Sequence, residues 1–188
     1  MARKYDSTRR RQAAERTRQE IVEAALTLHW KGITELEPLA REAGVSLPTV
    51  RKHFPSKEAV FEACTRTFSE RVAFPDLEAL RAMTDPAARL EAGVSECCRI
   101  HEAMFGYAWL SSHLRKDSPT LDSEMQGYEG LADAIAGILA PAGSPHAGIV
   151  RGLLDFLTYR AFRLSGDLSP EQVRKELIAA IDRVLDTN

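Results

Sequence analysis

Residues 34–57 read TELEPLAREAGVSLPTVRKHFPSK, and this stretch decides the fold. Leu36, Leu39/Ala40 and Ala43 recur at i, i+3/i+4 and i+7, one face of a helix. Thr34 followed by Glu37 is a capping-box pattern and predicts the start of that helix. Gly44 predicts its end, because glycine takes the left-handed conformation without a Cβ clash. Ser46 can cap the next helix through its hydroxyl, and Pro48 then falls in the first turn, where an amide donor is not needed. Val50 and Phe54, four apart, point inward. Leu47, Thr49, Arg51, Lys52 and His53 are left mostly outside. Two short helices joined by a glycine turn, the second with outward cations and a hydroxyl, form the pattern of a DNA-reading helix-turn-helix.

The flanks complete a small helical domain. Residues 17–30, TRQEIVEAALTLHW, predict a first firm helix with Ile21, Ala24/Ala25 and Leu28 as its apolar stripe. Trp30 is expected in the domain core, as large apolar side chains generally are. After the motif, Lys57 opens another helix, KEAVFEACTRTFSERVAF, with Val60/Phe61, Cys64, Phe68 and Val72 inward.

The motif carries a resemblance. GVSLPTVRKHFPSKEAVF at 44–61 is similar to the signature of the tetracycline-repressor (TetR/AcrR) family of transcription regulators, which runs roughly G-V-S-x-[GP]-T-[LV]-Y-x-H-F-x-S-K-E-x-L. Gly44, Val45, Ser46, Thr49, His53, Phe54, Ser56, Lys57 and Glu58 fall at the expected places. The resemblance covers residues 14–74. Beyond them the chain matches only in length and helical character. It implies that Ser46, Lys52, His53 and Lys57 position the protein on phosphates, while Leu47 and Thr49 read base edges. Arg51 stands where the family carries a tyrosine that commonly touches a phosphate. Arg51 either replaces that contact or reads a guanine edge.

Composition agrees with an end that meets a polyanion. The chain has 188 residues and is 44% apolar, ordinary for a globular protein. Residues 1–57 hold 12 Lys and Arg against 7 Asp and Glu; residues 58–188 hold 13 against 20. A basic first third joined to an acidic remainder is the electrostatic footprint of a nucleic-acid reader at one end. Residues 1–18 alone carry Arg3, Lys4, Arg9, Arg10, Arg11, Arg16 and Arg18 against Asp6 and Glu15. They read either as a solvated, disordered tail or as an arm along the phosphates or in a minor groove. The basic N-terminus has no apolar core of a secretory signal, and no apolar run is long enough to span a membrane. Three cysteines, Cys64, Cys97 and Cys98, make no disulfide framework, and a reducing cytoplasm is the simplest location.

The remainder reads as helices. Pro75 and the stretch 84–86 punctuate the chain. A long helical region over 86–115 follows, with Gly106 as a candidate break. Cys97, His101, Phe105, Trp109 and His113 step by four along it. Core packing, a ligand pocket and a transition-metal site using Cys97 or Cys98 with His101 and His113 all remain open for this stripe. No paired ligand motif supports the metal. Residues 118–140 predict a helix ended by Pro141 and Gly143, with Met125, Tyr128 and Leu131/Ala132 inward. Residues 145–165 predict another, apolar on more than one face and therefore buried on more than one side. Residues 169–186 predict a last, amphipathic helix. Two such C-terminal helices per chain would form a four-helix bundle across a two-fold axis.

The expectation is an all-α protein. Its parts are a basic arm at 1–13, a helix-turn-helix DNA-binding domain at 14–74, and a ligand-binding and dimerisation domain at 75–188. Its partners would be a double-stranded DNA operator, an unidentified small-molecule effector and a second copy of the chain; no cofactor and no metal are expected. The expected pocket is Cys97, His101, Met104, Phe105, Trp109, His113, Met125, Tyr128, Phe156 and Tyr159. The expected dimer interface is Leu153, Leu157, Leu177, Ile178, Ile181 and Leu185. Two competing readings are an all-helical enzyme or metal sensor built on the 97–113 stripe, and an interaction protein that kept the fold without operator recognition.

Overall fold

The computed structural model describes residues 2–140 and 143–186, with side chains from residue 8 onward. Among the described residues all regular structure is α-helical. None of their helices is long and apolar enough to cross a membrane. The chain divides into two units, residues 1–71 with 109–122, and residues 72–108 with 123–188.

The first unit is built on α1 (Ala2–Trp30), α2 (Leu36–Glu42), α3 (Leu47–His53) and α4 (Lys57–Arg71). The helix expected from residue 17 continues back through the basic segment to Ala2. Ile21, Val22, Ala24, Ala25 and Leu28 are buried, as their stripe predicts. Trp30 is a correction: it is 49% exposed. It stands nine residues from Ile21, half a turn out of phase with the buried stripe. His29 takes the inward place instead, 2% exposed, its ring 5.3 Å from that of Phe61.

The turn between α2 and α3 follows its residues closely. Gly44 has φ +65°, the left-handed region, and the Val45 amide donates to the Ala40 carbonyl at 3.0 Å. Ser46 Oγ accepts from the Thr49 amide at 3.2 Å, and Pro48 sits in the first turn. Val50 and Phe54 are fully buried. The capping box at Thr34 does not form: the residue that caps α2 is Glu35, without a side-chain hydrogen bond. Thr34 and Glu35 turn toward Lys57 instead.

The second unit holds α5 (Leu77–Ala82) and α6 (Pro86–Ala103), with α9 (Ala147–Leu153), α10 (Phe156–Leu164) and α11 (Pro170–Asp186). Between them in sequence run α7 (Phe105–Leu114) and α8 (Pro119–Leu139). α5 is absent from the sequence reading. It is short, and Asp76 starts it by accepting from the Glu78 and Ala79 amides, each at 3.0 Å. The region 86–115 breaks as expected, but at Met104; Gly106 itself is helical and buried. The single helix expected over 145–165 is two, parted at Leu154–Asp155. Asp155 caps α10 by accepting from the Leu157 amide at 2.8 Å. Pro141, expected to stop α8, lies outside the described residues, while Gly143 has φ +80°.

The core of this unit joins Leu90, Val94, Cys97 and Cys98 of α6 to Ile135, Ala136 and Leu139 of α8 and to Val173, Leu177 and Ile181 of α11. Gly93 lets α6 and α8 approach: a Cβ there would stand 3.2 Å from Leu139 Cδ2 and 3.3 Å from Ile135 Cγ2. Leu177 and Ile181, expected at a dimer interface, are 1% and 0% exposed inside this core. The amphipathic stripe of α11 is satisfied within the chain, because its inner face meets α6. Leu153, Ile178 and Leu185 are half-buried against the same core, and Leu157 is 53% exposed.

Candidate nucleic-acid interface and the buried histidine cluster

The outer side of α3 carries the residues expected to meet DNA. Arg51 and Lys52 are exposed; Leu47, Thr49 and His53 are half-buried; Ser46 at the cap is exposed. Their placement follows from Val50 and Phe54, which take the inward positions of the helix and turn the rest out. Arg51 and Lys52 occupy the last turn, where cations complement the carbonyl end of the helix. The Ser46 and Thr49 hydroxyls are 2.8 Å apart, so the helix start and one expected base-reading side chain are tied together.

Lys57 is exposed at the start of α4 and is held by neighbours. Its ammonium donates to Thr34 Oγ1 at 3.4 Å and lies 3.9 Å from Glu35 Oε1. Main-chain amides of Glu35 and Thr34, with Lys57 nearby, hold the Glu35 carboxyl below its ordinary value. An exposed pair of this kind is weak, of order 0–1 kcal/mol, so Lys57 is easily released to another anion.

Arg18 links α1 to the reading helix. Its guanidinium donates to the His53 carbonyl at 3.2 Å and lies 4.3 Å from the centre of the Phe54 ring. The carbonyl is one of those left without a partner at a helix end. Glu58, on the first turn of α4, accepts from Ser118 Oγ at 2.7 Å and from the Thr120 amide at 2.8 Å. That binds the residues around the start of α8 to this unit. Sequence reasoning missed Arg18, Thr34, Glu35 and Glu58 as contacts. Three of the links span 23 to 62 residues, and local pattern carries no signal for them.

The residues expected to line a pocket separate into groups. His101, Cys97, Tyr128, Phe156 and Tyr159 come together. The His101 ring centroid is 5.4 Å from Tyr128, 5.9 Å from Phe156 and 5.2 Å from Tyr159. Phe105 joins at 6.1 Å from Phe156. Met104 and Met125 are buried. Trp109 and His113 belong to the first unit, with ring centroids 3.9 Å apart. The four-residue stripe does not run through, because α6 stops before Met104 and α7 starts after it.

Hydrogen bonds close the cluster around His101. Nε2–H donates to the Leu154 carbonyl at 3.0 Å, and the Tyr128 hydroxyl donates to Nδ1. The Cys97 thiol lies 3.3 Å from Nε2 and donates to the same carbonyl at 3.5 Å. Both ring nitrogens are thus engaged by protein groups. Burial pushes the His101 imidazole down to about 4, so it is neutral, as this pattern of one donor and one acceptor requires. Burial pushes the Cys97 and Cys98 thiols up to about 12 and the Tyr128 phenol upward as well. Such thiols are poor nucleophiles and poor metal ligands. Among the described residues no three His, Cys, Asp or Glu side chains are grouped so as to hold a metal ion. A separate cleft of about 670 Å³ lies in the second unit against Phe74, Pro75, Leu80, Met83, Glu96 and Arg99.

Comparisons with known proteins agree with this geometry. Residues 21–64 match the family model of bacterial regulatory proteins, tetR family. No curated protein sequence matches the chain. A solved TetR-family transcriptional regulator from Mesorhizobium loti superposes with a TM-score of 0.64 at 19% identity, covering 92% of this chain and 96% of that one. Another from Rhodococcus sp. gives 0.62 at 18% identity, covering 91% and 100%. The transcriptional regulator FadR from Bacillus subtilis, in complex with stearoyl-CoA, gives 0.56 at 15% identity, covering 90% and 98%. These likenesses show the fold. That fold has an N-terminal helix-turn-helix domain, within which the family model matches, and a helical C-terminal domain.

Proposed function

We propose that the chain is a ligand-responsive transcriptional repressor. It binds a near-palindromic operator as a homodimer and is released by a small-molecule effector. The observation that carries this reading is the α3 surface: Ser46, Leu47, Thr49, Arg51, Lys52 and His53 outward, locked by Val50 and Phe54 within. Thr49 and Leu47 read base edges in the major groove; Ser46, Lys52, His53 and Lys57 set the register on phosphates. Arg51 reads a base or replaces a phosphate contact. A dimer would place two reading helices one helical turn of DNA apart, about 34–36 Å.

The effector must bind the DNA-incompetent arrangement better than the competent one, otherwise it shifts nothing. Two places in the second unit are candidates for it. One is the group of Met104, Phe105, Tyr128, Phe156 and Tyr159 around His101, where a ligand would have to replace the bonds His101 now makes. The other is the cleft beside Phe74, Met83 and Arg99. For the dimer, the exposed Leu157 and the half-buried Leu153, Ile178 and Leu185 remain available as contacts. The deciding experiment is selection of randomised duplexes by the purified protein. Recovery of a palindrome with half-sites about one turn apart supports the reading. Retention with no motif, lost steeply with salt, removes it.

A further inference from the structure

The stretch Thr8–Arg16 is helical and every described side chain in it is exposed. Its sequence, TRRRQAAER, holds Arg9, Arg10, Arg11 and Arg16 against Glu15. A helix polar on every face buries little against its own domain. The burial that supports α1 begins only at Ile21. Yet this stretch is anchored next to the reading surface. Arg18 holds the last carbonyl of α3, at His53, and packs on Phe54. Arg11 stands seven residues before Arg18, which is two turns, about 10 Å, along the same face. The basic stretch therefore lies within about two turns of the residue that holds the C-terminal end of α3 at His53.

We propose that residues 8–16 are a second DNA-contacting surface, a helical strut that follows the phosphates of duplex flanking each half-site. This rests on the DNA-binding reading above. As a helix, the strut follows the backbone from outside; it is not an extended arm threaded into a minor groove. Arg9, Arg10 and Arg11 cover three sides of one turn, so rotation about the helix axis leaves at least one guanidinium toward the phosphates. The contact is independent of sequence. It lengthens the protected duplex without lengthening the motif that is read.

The test uses the full-length protein and the duplex recovered by selection, in two forms: trimmed to its half-sites, and extended by ten base pairs on each side. The wild-type protein is expected to bind the extended form at least tenfold more tightly at moderate salt. A variant with Arg9, Arg10 and Arg11 changed to Gln keeps helix-forming side chains. It should bind both forms equally, with the salt slope on the extended form lower by about two to three units. The corresponding Lys variant should restore most of the flank effect, since charge and not geometry is asked for. Equal binding of both duplexes by the wild type, or an unchanged slope in the Gln variant, overturns the strut while the operator reading stands. Loss of self-association in the Gln variant, with duplex binding unchanged, would assign the surface to the acidic part of another copy and overturns it too. Failure of the wild type to select any motif is the separate failure of the operator reading.

Discussion

His101 Nε2 donates to the main-chain carbonyl of Leu154 at 3.0 Å, where the chain passes from α9 to α10. A carbonyl at such a break has lost its helical partner, and an imidazole 53 residues away supplies one. His101→Leu would leave the Tyr128 hydroxyl without this partner and the Leu154 carbonyl with only the weak Cys97 thiol donor at 3.5 Å. We expect a loss of about 2–4 kcal/mol, from two buried polar groups at about 1–3 kcal/mol each with some relaxation. Urea unfolding should show it as a lower midpoint. An unchanged midpoint would mean that water replaces the ring.

His29 and His101 set an acid limit on stability. Burial pushes both down to about 4, well below an ordinary histidine near 6.5. Between these values the unfolded chain binds protons that the folded chain refuses. Stability is therefore complete above about pH 6.5 and declines as pH falls toward 4, by up to about 3 kcal/mol for each histidine. Thermal unfolding across pH 4–8 measures this. His29→Phe, which keeps the contact with Phe61, should lose part of the slope; a slope that is the same in both proteins would point to the carboxylates instead.

Ser46 and Thr49 separate folding from reading. Ser46→Ala removes the α3 cap and should cost about 1 kcal/mol of stability. Thr49→Ala leaves the cap oxygen in place and should cost about 1–3 kcal/mol of operator binding, relaxing one base position. A uniform loss on all sequences would remove Thr49 from the base-reading set.

Lys57 is restrained in the free protein by Thr34 and Glu35. Lys57→Ala should weaken binding to all duplexes and lower the salt slope by about one unit. Glu35→Gln weakens the hold on the ammonium and should strengthen binding slightly, by up to about fivefold, since an exposed pair is of order 0–1 kcal/mol. Anisotropy titrations at three salt concentrations distinguish the two variants; weaker binding by Glu35→Gln would show that Glu35 positions the lysine.

Gly93 tests the packing of α6 on α8. Gly93→Val places methyl groups against Leu139 and Ile135, where a Cβ alone is already tight. Overpacking of this kind typically costs about 1–3 kcal/mol, to which a β-branched side chain in a helix adds nothing favourable. A variant as stable as the parent, by urea unfolding, would mean that the two helices can part without cost.

The helix-turn-helix of α2 and α3 was legible because its information is local. Gly44, Ser46 and Pro48 act on their own backbone, and Val50 and Phe54 share a face at a spacing of four. Nothing distant is needed to place Leu47, Thr49, Arg51, Lys52 and His53 outside. The buried stripe of α1 was legible for the same reason, and so was the uneven charge that marks residues 1–57.

The tertiary structure decided everything that depends on which element meets which. Thr34 and Glu37 spell a capping box, but Lys57 draws Thr34 and Glu35 away from it. Trp30 has the composition of a core residue, but helix phase exposes it and buries His29. Asp155 could have been an exposed acid on one long helix; it caps a second one because the core turns the chain there and His101 waits to satisfy the freed carbonyl. Leu177 and Ile181 read equally well as interface or core, since periodicity shows that a face is covered and not by what. Local conformation follows from a residue and its near neighbours, whereas the partner of a buried face or a freed polar group is chosen by packing across the whole chain.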